Sequence, residues 1–135
     1  MANNFYVKRL KPGEDLRAGI LDMLREHADI HAAVILSAVG SLTRAKLRLA
    51  GSDKYLEKTG PFEIVSTTGT LGVDGIHVHI SISDAVGDTF GGHLVEGCII
   101  NTTCELVVAS VEGFRFKRTF DPATGYPELD AERQT

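Results

Sequence analysis

Apolar residues recur at helical spacing in one segment near the start of the chain. They follow a short alternating stretch and the break at Pro12-Gly13, and they comprise Leu16, Ile20, Leu21, Leu24 and Ala28. Glu14 and Asp15 precede them, where the N-terminal end of a helix favours negative charge. The pattern predicts a first strand over residues 5–11 and one amphipathic helix from about residue 14 to 28, which would cover a sheet.

The other apolar segments are typical of β-strands. Residues 31–39 are almost continuously apolar, which predicts a central strand buried on both faces. Gly40-Ser41 is then expected to turn the chain into an alternating strand over residues 44–49, followed by a polar connection over residues 51–61. Segments rich in Val, Ile, Thr and Phe predict further strands, over residues 62–71, 76–83, 99–111 and 114–120.

These elements predict an α+β fold, a mainly antiparallel sheet of about seven strands with one principal helix packed on it. The connections after the helix are too short for repeated parallel crossovers. A chain of 135 residues fits one domain. The expected organisation is a domain over residues 1–120 and an irregular C-terminal tail over residues 121–135, where Pro122, Gly125 and Pro127 interrupt any regular pattern.

Charge and composition narrow the class of protein. The formal net charge is −4, from 14 basic and 18 acidic side chains, whereas nucleic-acid binders usually carry a basic excess. No apolar run is long enough to cross a bilayer, and the first twenty residues lack the pattern of a secretory signal. We therefore expect a cytoplasmic protein. Cys98 and Cys104 lie too far apart along one predicted strand to form a disulfide, so reduced, packed thiols are expected.

The most informative segment is the strand over residues 76–83. Its even-numbered positions are apolar, and its odd-numbered positions are His77, His79, Ser81 and Ser83. Two imidazoles at i and i+2 share a face and lie roughly 7 Å apart at Cα, which is close enough to bind one metal ion. The alternating pattern therefore predicts a half-buried strand with two histidines side by side on its polar face.

A predicted hairpin brings a third histidine to this pair. Residues 84–88 have the character of a tight loop with Gly87 in the left-handed conformation. A hairpin symmetric about Val86 places His93 directly opposite His79. Gly91-Gly92 could bulge the second strand, but glycine also lets the backbone approach a bound group closely.

Three histidines on one face predict a site for a divalent metal ion, with zinc as the expected ion and one coordination position left open. An open position is typical of catalytic zinc. The alternative is that each histidine is only a polar strand residue. Glu63, in a strand with apolar neighbours, is the candidate for a catalytic proton-transfer partner or fourth ligand, or else an ordinary exposed carboxylate.

Basic side chains form two clusters. Arg44, Lys46 and Arg48 share one strand face and are the candidate nucleic-acid contacts, although a solvated sheet face is sufficient to explain them. The second cluster comprises Arg115, Lys117 and Arg118.

Several segments, in this order along the chain, resemble the PPC domain family, named for plants and prokaryotes. They are residues 9–15, 40–42, 62–64, 75–79 and 91–94 and the strand ending Cys104-Glu105-Leu106, so that the resemblance covers nearly the whole chain up to Phe120. The resemblance implies a homotrimer of subunits with an antiparallel sheet. For some prokaryotic members it also implies a metal ion held by histidines that match His77, His79 and His93.

The resemblance further implies a DNA-binding or gene-regulatory role. Plant members carry the domain after an Arg-Gly-Arg-Pro motif that contacts DNA, and this sequence contains no such motif. The fold and the histidine spacing are also similar to those of α-acetolactate decarboxylase, a zinc enzyme. The sequence thus leaves three hypotheses: a trimeric metal-binding PPC protein with a DNA-associated role, a hydrolase or decarboxylase acting on a small molecule at the metal, and a ligand-binding trimer with a structural metal.

Overall fold

The computed structural model describes residues 4–51 and 53–135 and contains one helix and eight strands within them. The helix α1 spans Leu16–Glu26. The strands are β1 (Phe5–Leu10), β2 (Ala32–Arg48), β3 (Tyr55–Gly72), β4 (Gly75–Ser83), β5 (Thr89–Leu94), β6 (Ile99–Ser110), β7 (Phe114–Asp121) and β8 (Tyr126–Arg133). All paired strands are antiparallel, so the predicted α+β class is confirmed.

Six strands form the main sheet, in the order β1-β6-β2-β3-β4-β5, and β7 and β8 form a separate hairpin. The sheet closes partly on itself because β5 also pairs with the end of β2, where Arg48 lies opposite His93. The strands β2, β3, β4 and β5 therefore make a ring. Its interior is apolar and includes Leu47, Val78, Ile80, Ile82 and Leu94.

The helix covers one face of the sheet, as expected, and is shorter than predicted. Asp15 caps it by accepting a hydrogen bond from the main-chain N–H of Ala18 at 2.9 Å, so the first helical residue is Leu16. Gly19 faces the sheet, and an added Cβ there would lie 2.7 Å from the side chain of Leu10. The absence of a side chain at Gly19 thus lets α1 lie close against β1.

The predicted turn at Gly40-Ser41 is wrong, because β2 runs through it as one strand. Gly40 instead allows close contact with β6, since an added Cβ would lie 2.0 Å from the carbonyl oxygen of Thr103. The prediction of burial on both faces is also wrong for this strand, because Leu36 and Val39 are more than half exposed. Likewise, β3 begins at Tyr55, inside the segment expected to be a polar connection.

The C-terminal tail is not irregular. Residues 126–133 form β8, which pairs along its whole length with β7. Pro127, Leu129 and Ala131 alternate with acidic residues along this strand, but all three side chains are exposed, so the strand has no buried face. Opposite charges supply part of the register, since Lys117 forms an ion pair with Glu132 at 2.9 Å. The boundary at residue 120 between domain and tail stays a prediction.

The two cysteines are free and fully buried within the core. Burial is the main reason why the pKa of each thiol is raised, to about 11 for Cys98 and about 11 for Cys104. Among the described residues, neither thiol belongs to a group of side chains close enough together to hold a metal ion. Within the described ranges, no helix is both long enough and apolar enough to cross a membrane.

Candidate metal centre

The three histidines come from two adjacent strands, β4 and β5. Val78 and Ile80 are buried inside the ring, and His77 and His79 alternate with them on its outer surface. The hairpin register is the predicted one, with His79 directly opposite His93. Strand alternation and one local hairpin are therefore sufficient to bring all three side chains to one face.

The loop between β4 and β5 fixes this register. The carboxylate of Asp84 accepts hydrogen bonds from the main-chain N–H groups of Val86 at 3.0 Å and Asp88 at 2.9 Å. Gly87 has a φ of +89°, as expected for the left-handed position. These hydrogen bonds fix the conformation of the loop. They oppose a one-residue shift in the pairing of β4 with β5, which would turn His93 to the opposite face of the sheet.

Gly91 and Gly92 allow β5 to lie between its two neighbours. An added Cβ at Gly91 would lie 2.4 Å from the carbonyl oxygen of Ile80 in β4, and one at Gly92 would lie 2.7 Å from that of Arg48 in β2. The sequence predicted a bulge or a close approach to a bound group. Instead, the two glycines permit a close approach to neighbouring backbone, which holds His93 beside β4.

The imidazole rings converge. The Nε2 atoms of His77 and His79 are 3.2 Å apart, and one nitrogen from each of the three rings lies within 4.8 Å of the other two. Two nitrogens bound to one tetrahedral zinc ion at about 2.05 Å are about 3.3 Å apart. The donor set and its spacing thus fit a divalent metal ion that prefers imidazole, and three ligands leave one tetrahedral position free.

The electrostatic surroundings favour neutral imidazoles, the form that binds metals. Burial, followed by the nearby Arg48 guanidinium, lowers the pKa of His93 to about 4. Burial, followed by the neighbouring imidazole of His79, also lowers the pKa of His77. At neutral pH both rings therefore have an unprotonated nitrogen available as a ligand.

Two cavities flank the histidines. One of about 580 Å³ borders His77 and His93 and receives Arg17 from α1, Arg48 from β2 and Arg118 from β7. The other, of about 360 Å³, borders all three histidines together with the end of β2 and Gly91-Gly92. The imidazole cluster is thus reachable by small molecules, and it is not enclosed by the described part of the chain.

Glu63 does not lie with the histidines. It pairs with Ser83 at the other end of β4. Ser83 is four residues from His79, about 13 Å along an extended strand. Glu63 is exposed, and this separation removes it as a proton-transfer partner or ligand of the cluster within one subunit.

The basic face of β2 is divided among different partners. Arg44 forms an ion pair with Glu57 at 2.9 Å, and the ammonium of Lys46 lies 5.1 Å from the ring centre of Tyr55. Arg48, by contrast, lies opposite His93 and lines the larger cavity. The three side chains therefore do not form one free cationic patch.

Sequence reasoning missed the contributions of Arg17, Arg118 and Glu128 to the larger cavity. They come from α1 and from the β7–β8 hairpin, which are distant in sequence from the histidines. No local motif identifies them, since their proximity depends on how the helix and the hairpin pack around the ring.

Comparison with known proteins decides the family. The model of the Plants and Prokaryotes Conserved (PCC) domain matches residues 2–112. The chain belongs to this family. It is also 44% identical over 128 residues to the bifunctional protein GlmU of Synechococcus sp. (strain JA-3-3Ab), a match that covers 95% of this chain and 20% of that protein. The chain thus spans about a fifth of the length of this curated relative.

Solved structures agree with the fold. A hypothetical protein from Salmonella enterica superposes with a TM-score of 0.92 at 36% identity, covering 97% of this chain and 94% of the other. A metal-containing protein from Archaeoglobus fulgidus has a TM-score of 0.77 at 29% identity, with 96% and 94% covered. A structure from Bacteroides thetaiotaomicron, described as a "putative dna binding protein", has a TM-score of 0.85 at 22% identity, with 98% and 96% covered, which shows the fold alone.

Proposed function

We propose that this PCC-family protein binds a divalent metal ion, with zinc as the expected ion, through His77, His79 and His93, and binds a small molecule at that ion. The convergence of three imidazole nitrogens within 4.8 Å is the observation that carries the proposal. The 29% identical Archaeoglobus fulgidus protein, described as metal-containing, supports it. A cytoplasmic location is part of the same proposal.

The chain's own residues favour a reactive or ligand-binding centre over a purely structural one. Structural zinc sites are usually closed by four protein ligands, whereas the described residues supply three here. A bound divalent ion with an open position supplies Lewis-acid polarisation or an activated water. The flanking cavities give a small molecule access, and the arginine side chains of the larger one would orient an anionic group beside the histidines.

Metal content tests the proposal directly. We expect the purified protein to contain a stoichiometric divalent metal by elemental analysis, and to take up zinc after chelation. His77→Ala and His93→Ala should each abolish this content, because two imidazoles do not retain the ion firmly. His31→Ala is the matched control, since His31 lies outside the cluster and contacts Gln134. Retention of full metal content by both cluster variants would contradict the proposal.

We also propose a homotrimer, the assembly that the family resemblance implies. The face of the sheet turned away from α1 exposes five large apolar side chains: Phe5, Val7, Leu36, Val39 and Val65. Pairing of β2 with β3 stops after the Val34–Thr70 pair and resumes at the Ser41–Glu63 pair, which leaves a groove of mixed apolar and polar lining in this face. An apolar face of this kind is typical of a surface covered by another subunit.

Light scattering during size-exclusion chromatography tests the trimer. The wild-type mass should be three times that of the chain, and Leu36→Asp combined with Val39→Asp should reduce it to that of a monomer. Val86→Asp is the control, because Val86 is an exposed apolar residue at the tip of the β4–β5 loop. A monomeric wild type at micromolar concentration would contradict the assembly.

A DNA-associated regulatory role, which the family resemblance implies, is the second candidate. Its proposed contacts are Arg44, Lys46 and Arg48. If the protein binds duplex DNA, replacing all three with alanine should lower the affinity and reduce its salt dependence. Fluorescence anisotropy across several salt concentrations measures both. If the salt dependence of the affinity is unchanged, these residues are excluded as phosphate contacts. If the wild-type protein does not bind DNA at physiological salt, the DNA-associated role is excluded and the small-molecule role remains.

A further inference from the structure

The larger cavity beside the histidines has the character of a binding pocket for an organic anion. Its volume of about 580 Å³ is in the range of small-molecule sites and is larger than the volume that an inorganic ion occupies. Six separate parts of the fold build it: α1, β2, the β3–β4 turn, β4, β5 and the β7–β8 hairpin. Ile76, Tyr126 and Pro127 provide apolar surface, so an organic group could pack there.

Three partly buried arginines line this cavity, and two of them have no counter-ion. Within residues 4–51 and 53–135, neither Arg17 nor Arg48 takes part in an ion pair or side-chain hydrogen bond. Arg118 donates one hydrogen bond to the Thr70 hydroxyl at 2.9 Å, which leaves its other N–H groups available. An anionic partner stabilises a guanidinium group that is partly buried. The planar N–H donors of the group match the oxygens of a carboxylate or a phosphate.

The acidic side chains of the cavity indicate which anion fits. Asp74 and Glu128 also line it, so three arginines and two carboxylates leave a formal charge of +1 when the histidines are neutral and no metal ion is bound. Asp74 is held in place, since its carboxylate accepts a hydrogen bond from the main-chain N–H of Arg118 at 3.0 Å. In the metal-free protein, a net charge of +1 matches a singly charged carboxylate better than a phosphate dianion, which the two carboxylates would repel.

We propose that this cavity binds a small organic monocarboxylate, with the carboxylate held by Arg17 and Arg48 and the apolar part against Ile76, Tyr126 and Pro127. The inference deepens the proposed function, because it names the ligand class of the same site. The affinity for the anion, however, depends on the arginines and not on the metal.

Butyrate is a suitable probe because it is a monocarboxylate with an apolar chain. Titration of the zinc-loaded and the chelator-treated full-length protein, at constant ionic strength, is followed by NMR through the side-chain Nε–H signals of Arg17 and Arg48. We expect saturable shifts of both signals. Arg17→Gln and Arg48→Gln should each weaken binding about tenfold or more, since each removes a charge-assisted hydrogen bond.

Matched controls exist on the same elements. Arg25→Gln changes the exposed arginine of α1 that pairs with Asp22, and Arg44→Gln changes the arginine of β2 that pairs with Glu57. Both should bind butyrate as the wild type does. Urea unfolding of all four variants separates loss of the pocket from loss of the fold.

Several results would overturn the inference. They are the absence of saturable shifts at Arg17 and Arg48, equal weakening in the control variants, or, in a parallel titration of the chelator-treated protein, tighter binding of inorganic phosphate than of butyrate. Zinc content, measured by elemental analysis on each sample, keeps the two proposals distinguishable. Arginine-dependent butyrate binding by a protein that holds no metal would leave the anion pocket standing and remove the metal centre. A protein that holds zinc but shows no arginine-dependent butyrate binding would leave the metal centre standing and remove the anion pocket.

Discussion

Replacement of Gly91 by alanine should disturb both the fold and the metal centre, because Gly91 sets the distance between β5 and β4. The added Cβ would lie 2.4 Å from the carbonyl oxygen of Ile80, and relief to even 3.0 Å requires a movement of about 0.6 Å. Both atoms belong to backbone that is paired within the sheet, so no flexible side chain can relieve the contact. Overpacking of this kind costs about 1–3 kcal/mol.

The same movement reaches the histidines. Gly91 is two residues from His93 on β5, and His93 pairs directly with His79. Metal–ligand distances tolerate changes of only about 0.2 Å, so a strand displaced by several tenths of an ångström misplaces one of the three imidazoles. We expect zinc affinity to fall about tenfold to a hundredfold, as it does when other supports of a metal ligand are removed.

Two measurements test this prediction. Urea unfolding of the zinc-free protein gives the loss of stability, and competition with a chromophoric chelator gives the zinc affinity. Gly87→Ala is the control, because Gly87 has open space around it but a φ of +89°. The free energy of unfolding of the Gly87→Ala variant should fall by about 1 kcal/mol through backbone strain, and its zinc affinity should be unchanged. A Gly91→Ala variant with wild-type stability and zinc affinity would refute the idea that the close contact between β4 and β5 positions His93.

Two further predictions concern the fold. Asp15→Ala should lower the free energy of unfolding by about 1–3 kcal/mol, because the carboxylate accepts hydrogen bonds from the N–H groups of Ala18 at 2.9 Å and Gly97 at 2.7 Å. Asp15→Asn, which keeps one acceptor oxygen, should lose less in urea unfolding, and equal stability of the alanine variant and the wild type would contradict both roles. Cys98 and Cys104, each with a pKa raised to about 11, should react with iodoacetamide at pH 8 far more slowly in the folded than in the urea-unfolded protein, and faster as the pH rises towards 11. Mass spectrometry measures the labelling rates. Equal rates in the folded and unfolded protein would show that burial does not protect the thiols.

The histidine cluster could be predicted from the sequence because each step is local. Alternation in β4 assigns His77 and His79 to one face, and a short loop with its turn glycine sets the register that brings His93 opposite His79. Every residue involved lies within one hairpin. No long-range pairing had to be known.

Errors in the predicted fold arose where residue type and tertiary context conflict. Gly40 was expected to turn the chain, but glycine is also required where two backbones approach closely, and only the position of β6 distinguishes the two. Residues 126–133 do alternate between apolar and acidic side chains, but Pro122, Gly125 and Pro127 favoured an irregular segment, and the pairing of β8 with β7 was therefore missed. Glu63 shows a related limit, since alternation identifies the face of a strand but not the position along it.

The arginine-lined cavity depends on the part of the fold that sequence patterns describe least. Arg48 reaches His93 only because β5 returns to β2 and closes the ring, a pairing between residues more than forty positions apart. Its spacing from Arg44 suggested a common role, yet the ion pair with Glu57 holds Arg44 elsewhere. The metal ligands follow from local geometry, whereas the groups that would select a ligand follow from the closure of the sheet and the docking of the β7–β8 hairpin. Ligand specificity can therefore differ between relatives that share the three histidines, because changes in the helix or in that hairpin would alter the cavity without moving the hairpin that carries the ligands.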